Sequence, residues 1–152
     1  SMRIKKTVVG WREWLAMPDL GVERIIAKVD TGAKTCALHA FYIDEFVRDG
    51  RLWIKFGLHP NCDDNQQEID CEAPVKERRD VTDSGGHCEN RYVIDTTFGI
   101  AGKQFMAEVT LTNRDNMRYR LLLGRNALRR RMLVDPGKSF LLSRAVRPVK
   151  AT

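Results

Sequence analysis

Short apolar runs separated by turn residues recur along the chain, and this pattern predicts β-strands rather than long helices. In the first half the predicted strands are residues 7–11, 24–29, 37–47 and 52–58. The dipeptide Asp49-Gly50 lies between the last two runs and is typical of a tight hairpin turn. The first half is therefore predicted to be a succession of strands and turns.

The second half continues this pattern and adds one helix. Its predicted strands are residues 75–82, 91–98, 103–112, 121–123 and 139–142. Good helix formers after Gly124 predict a helix over residues 126–132, which ends before Asp135-Pro136-Gly137. Residues 59–73 are polar and acidic with almost no β-branched side chains, which predicts a surface excursion.

Many short strands with one late helix indicate a mainly β fold, and we expect a small closed β-barrel with one short C-terminal helix. The chain has 152 residues, of which 43% are hydrophobic, enough for one domain core and too few for two. A single domain spanning residues 1–152 is therefore predicted, with the polar excursion at 59–73 on its surface.

Charge and composition narrow the possible partners. The net charge is +6 at pH 7, which favours acidic partners. Basic residues are scattered and are not interleaved with clustered aromatic side chains, so no nucleic-acid partner is predicted. No apolar run is long enough for a membrane helix, and we expect a cytoplasmic protein with no membrane partner. The four cysteines form no Cys-x-x-Cys pair, which favours reduced thiols.

Two motifs carry candidate chemistry. Asp30-Thr31-Gly32-Ala33 directly follows an apolar strand, which would bring a carboxylate to a rigid strand end and turn the chain at a glycine. Far downstream, the apolar run 121–123 ends in Gly124-Arg125-Asn126 and leads into the predicted helix. Each motif alone is equally typical of a core strand followed by a turn or a helix cap. Their order in so short a chain is more specific.

These two motifs, with a glycine-containing hairpin between them, resemble the retropepsins. The segments Trp11-Arg12-Glu13-Trp14, residues 28–35, residues 121–125 and Val134-Asp135-Pro136 are more closely similar to a bacterial family of retropepsin-like aspartic peptidases that is labelled ATP-dependent zinc protease. Some members of that family neighbour ATP-grasp ligases that add glutamates to a ribosomal protein.

The resemblance implies aspartic-peptidase chemistry, which needs two carboxylates that share a proton. Because the chain supplies one Asp-Thr-Gly motif, a homodimer with one such aspartate from each subunit is expected. The implied roles are catalysis by Asp30, Thr31 and Gly32, substrate binding by Ala33, Lys34, Arg79 and Arg91, and structural support by Leu123, Gly124, Arg125 and Asn126.

Lys34 departs from the viral pattern. Viral retropepsins commonly carry an acidic residue directly after Asp-Thr-Gly-Ala, and it pairs with the arginine of the Gly-Arg motif. The lysine at this position cannot form that pair with Arg125. A cation beside the catalytic turn instead predicts acidic, glutamate-rich peptide substrates.

No cofactor and no metal site are predicted, although the family label names zinc and ATP. The sequence has neither a His-Glu-x-x-His motif nor a Gly-x-x-x-x-Gly-Lys-Ser/Thr loop. His59, Cys62, Cys71, His87 and Cys88 are interpreted as loop residues without metal, and Cys36 has no marked partner histidine that would make it a nucleophile. Two alternatives to a peptidase stay open: a non-catalytic peptide-binding module with a retropepsin fold, and a zinc-binding regulatory protein.

Overall fold

The computed structural model describes residues 5–145. The strands are β1 (Thr7–Val9), β2 (Arg12–Met17), β3 (Val22–Val29), β4 (Cys36–His39), β5 (Tyr42–Arg48), β6 (Arg51–Leu58), β7 (Ile69–Pro74), β8 (Glu77–Thr82), β9 (Cys88–Ile100), β10 (Lys103–Thr112), β11 (Leu121–Leu123) and β12 (Met132–Val134). Two short α-helices, α1 (Arg125–Leu128) and α2 (Leu141–Ala145), lie late in the chain. None of the helices described is long and apolar enough to cross a membrane.

A ring-like sheet forms the body of the molecule. Its strand order is β10-β4-β11-β3-β2-β9-β8, and β9 also pairs with β10, so the pairing returns to its starting strand. The interior is filled by alternate apolar residues of these strands, such as Ile25, Leu38, Val109 and Leu121, which are fully or almost fully buried. The prediction of a mainly β fold is confirmed, and its main sheet is ring-like, with β8 attached outside the ring on β9.

The central strand β11 positions the second sequence motif against the first. It runs parallel to β3, with Leu121 opposite Ala27 and Leu123 opposite Val29, and antiparallel to β4 on its other side. Because β3 and β11 end at the same level, the residues that follow each strand meet at one end of the ring.

A separate three-stranded antiparallel sheet contains β5, β6 and β7. Asp49 and Gly50 join β5 to β6, and both have positive φ, 51° and 73°, as a type I′ hairpin turn requires. The predicted hairpin is therefore confirmed. The predicted strand over 37–47 is wrong as a single element, because the chain leaves the ring at Ala40, whose N–H donates to Thr112, and enters the second sheet at Phe41, whose N–H donates to Gly57.

The predicted excursion over 59–73 is wrong at its end, because β7 begins at Ile69. Cys71 and Ala73 are buried on one face of β7, while Asp70 and Glu72 are exposed on the other. This alternation makes a half-buried strand out of a segment with few β-branched side chains. Residues 59–68 do form an irregular connection.

The elements after β11 also differ from the prediction. The helix predicted over 126–132 is the short α1, because the chain turns at Arg130, which has a φ of 67°, and then forms β12 parallel to β1. The last predicted strand, 139–142, is wrong, because residues 139–140 are irregular and α2 begins at Leu141. The buried carboxylate of Glu13 accepts hydrogen bonds from the N–H groups of Leu141 and Leu142, which stabilises a helix start at this position.

Candidate active site

Asp30 lies at the end of β3 in a tightly bonded turn. Its N–H donates to the carbonyl of Leu123 at 2.9 Å, and its own carbonyl accepts from the N–H of Ala33 at 3.2 Å. The N–H of Gly32 donates to Asp30 Oδ1 at 3.1 Å. The carboxylate therefore has a fixed position on a strand end, with the exposed residues Thr31 and Gly32 beside it.

The residues after β11 hold this turn from the other side. The N–H of Arg125 donates to Ala33 at 2.8 Å, and the N–H of Asn126 donates to Lys34 at 3.0 Å. Gly124 is required here because a Cβ atom on it would lie 2.4 Å from the carbonyl oxygen of Thr35. The two sequence motifs are thus one bonded unit, which we call the catalytic loop (Asp30–Lys34) and its support (Gly124–Asn126).

Cys36 and Asn126 form a buried contact beneath the loop. The N–H of Gly124 donates to Cys36 Sγ at 3.4 Å, and Cys36 Sγ donates to Asn126 Oδ1 at 3.4 Å. Asn126 Nδ2 donates in turn to the carbonyl of Glu108 on β10 at 3.1 Å. Burial raises the pKa of the Cys36 thiol to about 11, so it remains protonated at neutral pH and is unsuited to act as a nucleophile.

Arg125 bonds to the loop in a way that does not need an acidic partner. Its Nη1 donates to the carbonyl oxygen of Thr31 at 3.0 Å. The side chain of Lys34 is exposed, and within residues 5–145 it lies within 4.0 Å of no carboxylate. The loop is therefore braced by a backbone contact while a free ammonium group stands next to it.

The hairpin of β8 and β9 carries the sequence Asp83-Ser84-Gly85 at its turn, which is similar to Asp30-Thr31-Gly32. Asp83 Oδ1 accepts from the N–H groups of Gly85 at 2.9 Å and His87 at 3.0 Å, and Asp83 Oδ2 pairs with Arg114. The hydrogen bond from His87, together with the guanidinium of Arg114, lowers the pKa of Asp83 to about 2. This carboxylate is occupied in holding the turn, so Asp30 is the better candidate for chemistry.

Lys34 and Arg79 line one depression beside the catalytic loop, together with Lys76, Glu108 and Asn126. Glu108 lies 2.8 Å from Arg79 and 3.0 Å from Lys76. The hydrogen bond from Arg79, followed by that from Lys76, lowers the pKa of Glu108. Arg79 is thus largely neutralised by Glu108 and Glu77, and Lys34 supplies the free positive charge. The contact of Glu108 with these cations depends on the register of β9 and β10, so no sequence motif could predict it.

Arg91 does not reach this depression. Only 5% of it is exposed, its Nε lies 3.2 Å from Glu89, and its Nη1 donates to Thr110 at 3.3 Å. Its guanidinium braces β9 against β10. The prediction that Arg91 binds substrate is therefore not favoured by its position.

Residues 8–145 match the family described as retropepsin-like aspartic endopeptidase RimB. The chain belongs to this RimB-like family. The family resemblance predicted from the two motifs is confirmed at this level.

Relatives of this RimB-like chain include longer proteins. It is 45% identical over 141 residues to a probable alpha-L-glutamate ligase of Shewanella pealeana, covering 93% of this chain and 31% of that protein. It is 42% identical over 136 residues to the probable alpha-L-glutamate ligase of Desulfotalea psychrophila, covering 90% and 29%. The chain thus spans about a third of the length of the curated relatives it matches.

The RimB-like fold is also present in the crystal structure of Lpg0085 from Legionella pneumophila, a protein described as having unknown function. The two structures superpose with a TM-score of 0.75 at 26% sequence identity, over 91% of this chain and 99% of the other. The arrangement of strands described above is therefore shared with a solved protein.

The RimB-like chain offers no fit for zinc among its described residues, since no three His, Cys, Asp or Glu side chains within 5–145 are grouped as a metal requires. His59 is buried with its ring stacked on Phe41 at 4.0 Å. Cys71 donates its thiol hydrogen to the carbonyl of Leu20 at 3.2 Å, and burial raises its pKa to about 12. Both side chains therefore have packing roles.

Proposed function

We propose that the chain is an aspartic-type endopeptidase that acts as a homodimer, with Asp30 from each subunit, on acidic or glutamate-rich peptides. The observation that carries this proposal is the turn around Asp30, in which Leu123 O and Gly32 N–H fix the backbone and the carboxylate. A carboxylate held this rigidly on a strand end is suited to position a water molecule.

The mechanism follows from bringing two such carboxylates together. Like charges a few ångströms apart do not both ionise readily, so the pair shares one proton and titrates as a unit. The ionised Asp30 takes a proton from a water molecule, and the oxygen of that water attacks the peptide carbonyl. The protonated Asp30 stabilises the developing oxyanion and supplies the proton that the leaving amine needs. No covalent intermediate with the protein is formed.

Two features support a dimer. The chain has one Asp-Thr-Gly, and the carboxylate of the similar Asp83-Ser84-Gly85 turn is committed to Arg114. Thr31 and Gly32 are exposed, so the loop of a second copy has room to approach them. A two-fold axis at this point would place equivalent carboxylates side by side.

Two features support an acidic substrate. The free ammonium group of Lys34 stands directly after the catalytic turn, where it would attract carboxylate side chains near the scissile bond. In the curated relatives a segment similar to this chain is part of a protein named probable alpha-L-glutamate ligase. A peptidase joined to a ligase of this kind would act on the glutamate residues that the ligase adds.

Cleavage of fluorogenic glutamate-rich peptides by wild type, Asp30→Asn and Asp44→Asn proteins tests the proposal. Asn at position 30 cannot act as a base, so we expect activity to fall by about a thousandfold, while Asp44→Asn, on an exposed face of β5, retains wild-type activity. A statine-type transition-state mimic should inhibit the wild type. Equal activity of all three proteins would refute the assignment of Asp30, and stoichiometric zinc by elemental analysis would favour the regulatory alternative.

A further inference from the structure

A basic surface runs from the catalytic loop around α1. A depression of about 490 Å³ lined by Asn126, Arg129, Arg130 and Arg131 lies on this surface. Asn126 also lines the depression that contains Lys34. Arg129 and Arg130 also line a third depression, which reaches Thr31 of the catalytic loop. We call the continuous surface formed by Lys34, Asn126, Arg129 and Arg130 the basic track.

The cations of the basic track have no carboxylate partner in the part of the chain that the structure describes. Within residues 5–145, Lys34, Arg129 and Arg130 lie within 4.0 Å of no carboxylate. By contrast, Arg79 and Arg114 are each paired with a carboxylate. Three unneutralised cations around one short helix repel one another, which favours an anionic ligand over an empty surface.

Arg131, which follows the basic track in the sequence, differs from Arg129 and Arg130 in having a structural role. Its Nη1 lies 3.4 Å from Asn126 O and 3.5 Å from Ala127 O at the end of α1, and its guanidinium stacks over Phe105 at 4.3 Å. Arg129 and Arg130 are exposed. Arg130 in addition has a φ of 67°, a conformation in which glycine is less strained than any side chain. Arg130 therefore carries a cationic side chain at a position whose backbone conformation favours glycine.

We propose that the basic track is an exosite that binds an acidic stretch of the peptide substrate beyond the catalytic cleft. This inference rests on the proposed function and adds a second contact surface to it. The track begins at Lys34, directly next to the catalytic turn, so one extended chain can occupy both. No aromatic side chain lines either the depression at Asn126 or the one at Lys34, so the stacking platforms that single-stranded nucleic acids use are absent.

Binding of fluorescein-labelled oligoglutamates to the Asp30→Asn protein tests the exosite without turnover. A peptide of about 12 residues spans up to about 40 Å and can reach the track, whereas one of about four residues spans only about 13 Å. Replacing two exposed cations with the double variant Arg129→Gln/Arg130→Gln should weaken binding of the long peptide about fivefold or more. The loss should be clearly smaller for the short peptide, and added salt should reduce the difference.

A double variant with the same change of net charge provides the control. Arg51 and Lys55 are exposed on β6 of the separate sheet, and Arg51→Gln/Lys55→Gln should leave both affinities unchanged. Arg130→Gly gives a second check, because it should weaken binding of the long peptide without lowering the midpoint of thermal unfolding. If Arg130 only stabilised the fold, its replacement would lower both the affinity for the long peptide and the midpoint of thermal unfolding.

Three results would overturn the exosite: equal losses for the two double variants, equal losses for the two peptide lengths, or tighter binding of an RNA oligonucleotide than of oligoglutamate at the same track. The last result would identify a nucleic-acid surface. Cleavage assays on neutral peptides test the peptidase separately. Asp30-dependent cleavage without oligoglutamate binding would refute the exosite and support the peptidase. Oligoglutamate binding without any cleavage would support the exosite and refute the peptidase.

Discussion

Gly124 is the residue at which the catalytic loop and its support come closest. We expect Gly124→Ala to lower the free energy of unfolding by about 2–3 kcal/mol, because the added methyl group would overlap the backbone of Thr35 and displace it. Urea denaturation measures this, with Gly99→Ala as the control. A Cβ at Gly99 would lie 3.6 Å from that of Ala16, an ordinary contact, so the control should change stability little. Equal effects at both positions would contradict the tight fit.

Glu13 is completely buried and its carboxylate serves three backbone donors. Oε2 accepts from the N–H groups of Gly10 at 2.7 Å and Leu141 at 2.9 Å, and Oε1 accepts from Leu142 at 3.1 Å. In Glu13→Gln an amide NH₂ must face at least one of these donors, so we expect a loss of about 2–3 kcal/mol. Exposed Glu23 on β3 provides the matched control, Glu23→Gln. Hydrogen exchange at Leu141 and Leu142 should accelerate in the Glu13 variant alone.

At the scale of single residues, the sequence predicted which residues belong to the candidate site better than it predicted their contact partners. The chain order of the two motifs was enough to predict that Asp30 and Gly124–Asn126 belong together, and their bonded contact agrees with this. Cys36 and Glu108 could not be found in that way, because their contacts depend on which strands become neighbours. The burial of Arg91 likewise depends on the pairing of β9 with β10. The catalytic and substrate-binding roles themselves remain predictions.

At the scale of elements, the β8–β9 hairpin should respond to acid through Asp83. The pKa of Asp83 in the folded state, about 2, lies below its ordinary value of 3.8. Its stabilising contribution is therefore fully present above about pH 4 and is lost as the pH falls towards 2. We expect the difference in melting temperature between wild type and Asp83→Asn to be constant from pH 7 to about 5 and to shrink below pH 4.

Asp44→Asn provides the control for this titration, because Asp44 is an exposed residue of the separate sheet. Its melting curve should follow that of the wild type throughout. A difference between wild type and Asp83→Asn that stayed constant down to pH 2 would contradict the low pKa.

Glu108 on β10 sets how much positive charge the cleft presents. Its carboxylate pairs with Lys76 and Arg79. Glu108→Gln should leave Lys76 paired with Asp95 alone and Arg79 paired with Glu77 alone. The net charge of the cleft then rises by one, which should tighten binding of glutamate-rich peptides severalfold. The change should vanish at high ionic strength, because exposed charges are screened over about 8–10 Å in physiological salt. Fluorescence anisotropy with the Asp30→Asn protein as background measures it. Weaker binding would mean that Glu108 positions these cations for the ligand.

Elements whose signal is local were predictable. The Asp49-Gly50 turn requires positive φ at both residues, and that preference can be read from the dipeptide alone. The segment β7 was missed because its stability comes from burying Cys71 and Ala73 against β6 and the core. The start of α2 was missed because its first N–H groups are satisfied by Glu13, which lies 128 residues earlier than Leu141.

At the scale of the whole molecule, the proposed active site needs two copies. Val8 and Leu133 face each other across β1 and β12 and are 47% and 53% exposed, which makes them candidates for a dimer contact. We expect sedimentation velocity to show a concentration-dependent monomer–dimer equilibrium, and Val8→Asp to shift it towards the monomer. An active protein that stays monomeric at all concentrations would refute the shared site.

Subunit mixing provides a second test of the shared site. If Asp30→Asn and wild-type chains are equilibrated in equal amounts, about half of the wild-type chains pair with an inactive partner. Activity per wild-type chain should then fall to about half. Activity that simply follows the amount of wild-type protein would indicate a site complete in one chain. The mainly β fold and the family could be predicted from the pattern of apolar runs and the order of the two motifs. The proposed dimer could not be predicted in this way, because it depends on surface contacts that no motif describes.

The distribution of the cysteines has a practical consequence for following the hairpin in solution. All four are free, with Cys36 and Cys71 buried and Cys88 exposed at the first position of β9. Burial raises the pKa of the partly exposed Cys62, which slows its reaction with alkylating reagents at neutral pH. The unmodified protein therefore accepts a maleimide dye preferentially at Cys88, next to the hairpin turn. The emission of that dye would report directly whether a bound peptide draws the turn towards the loop of Asp30.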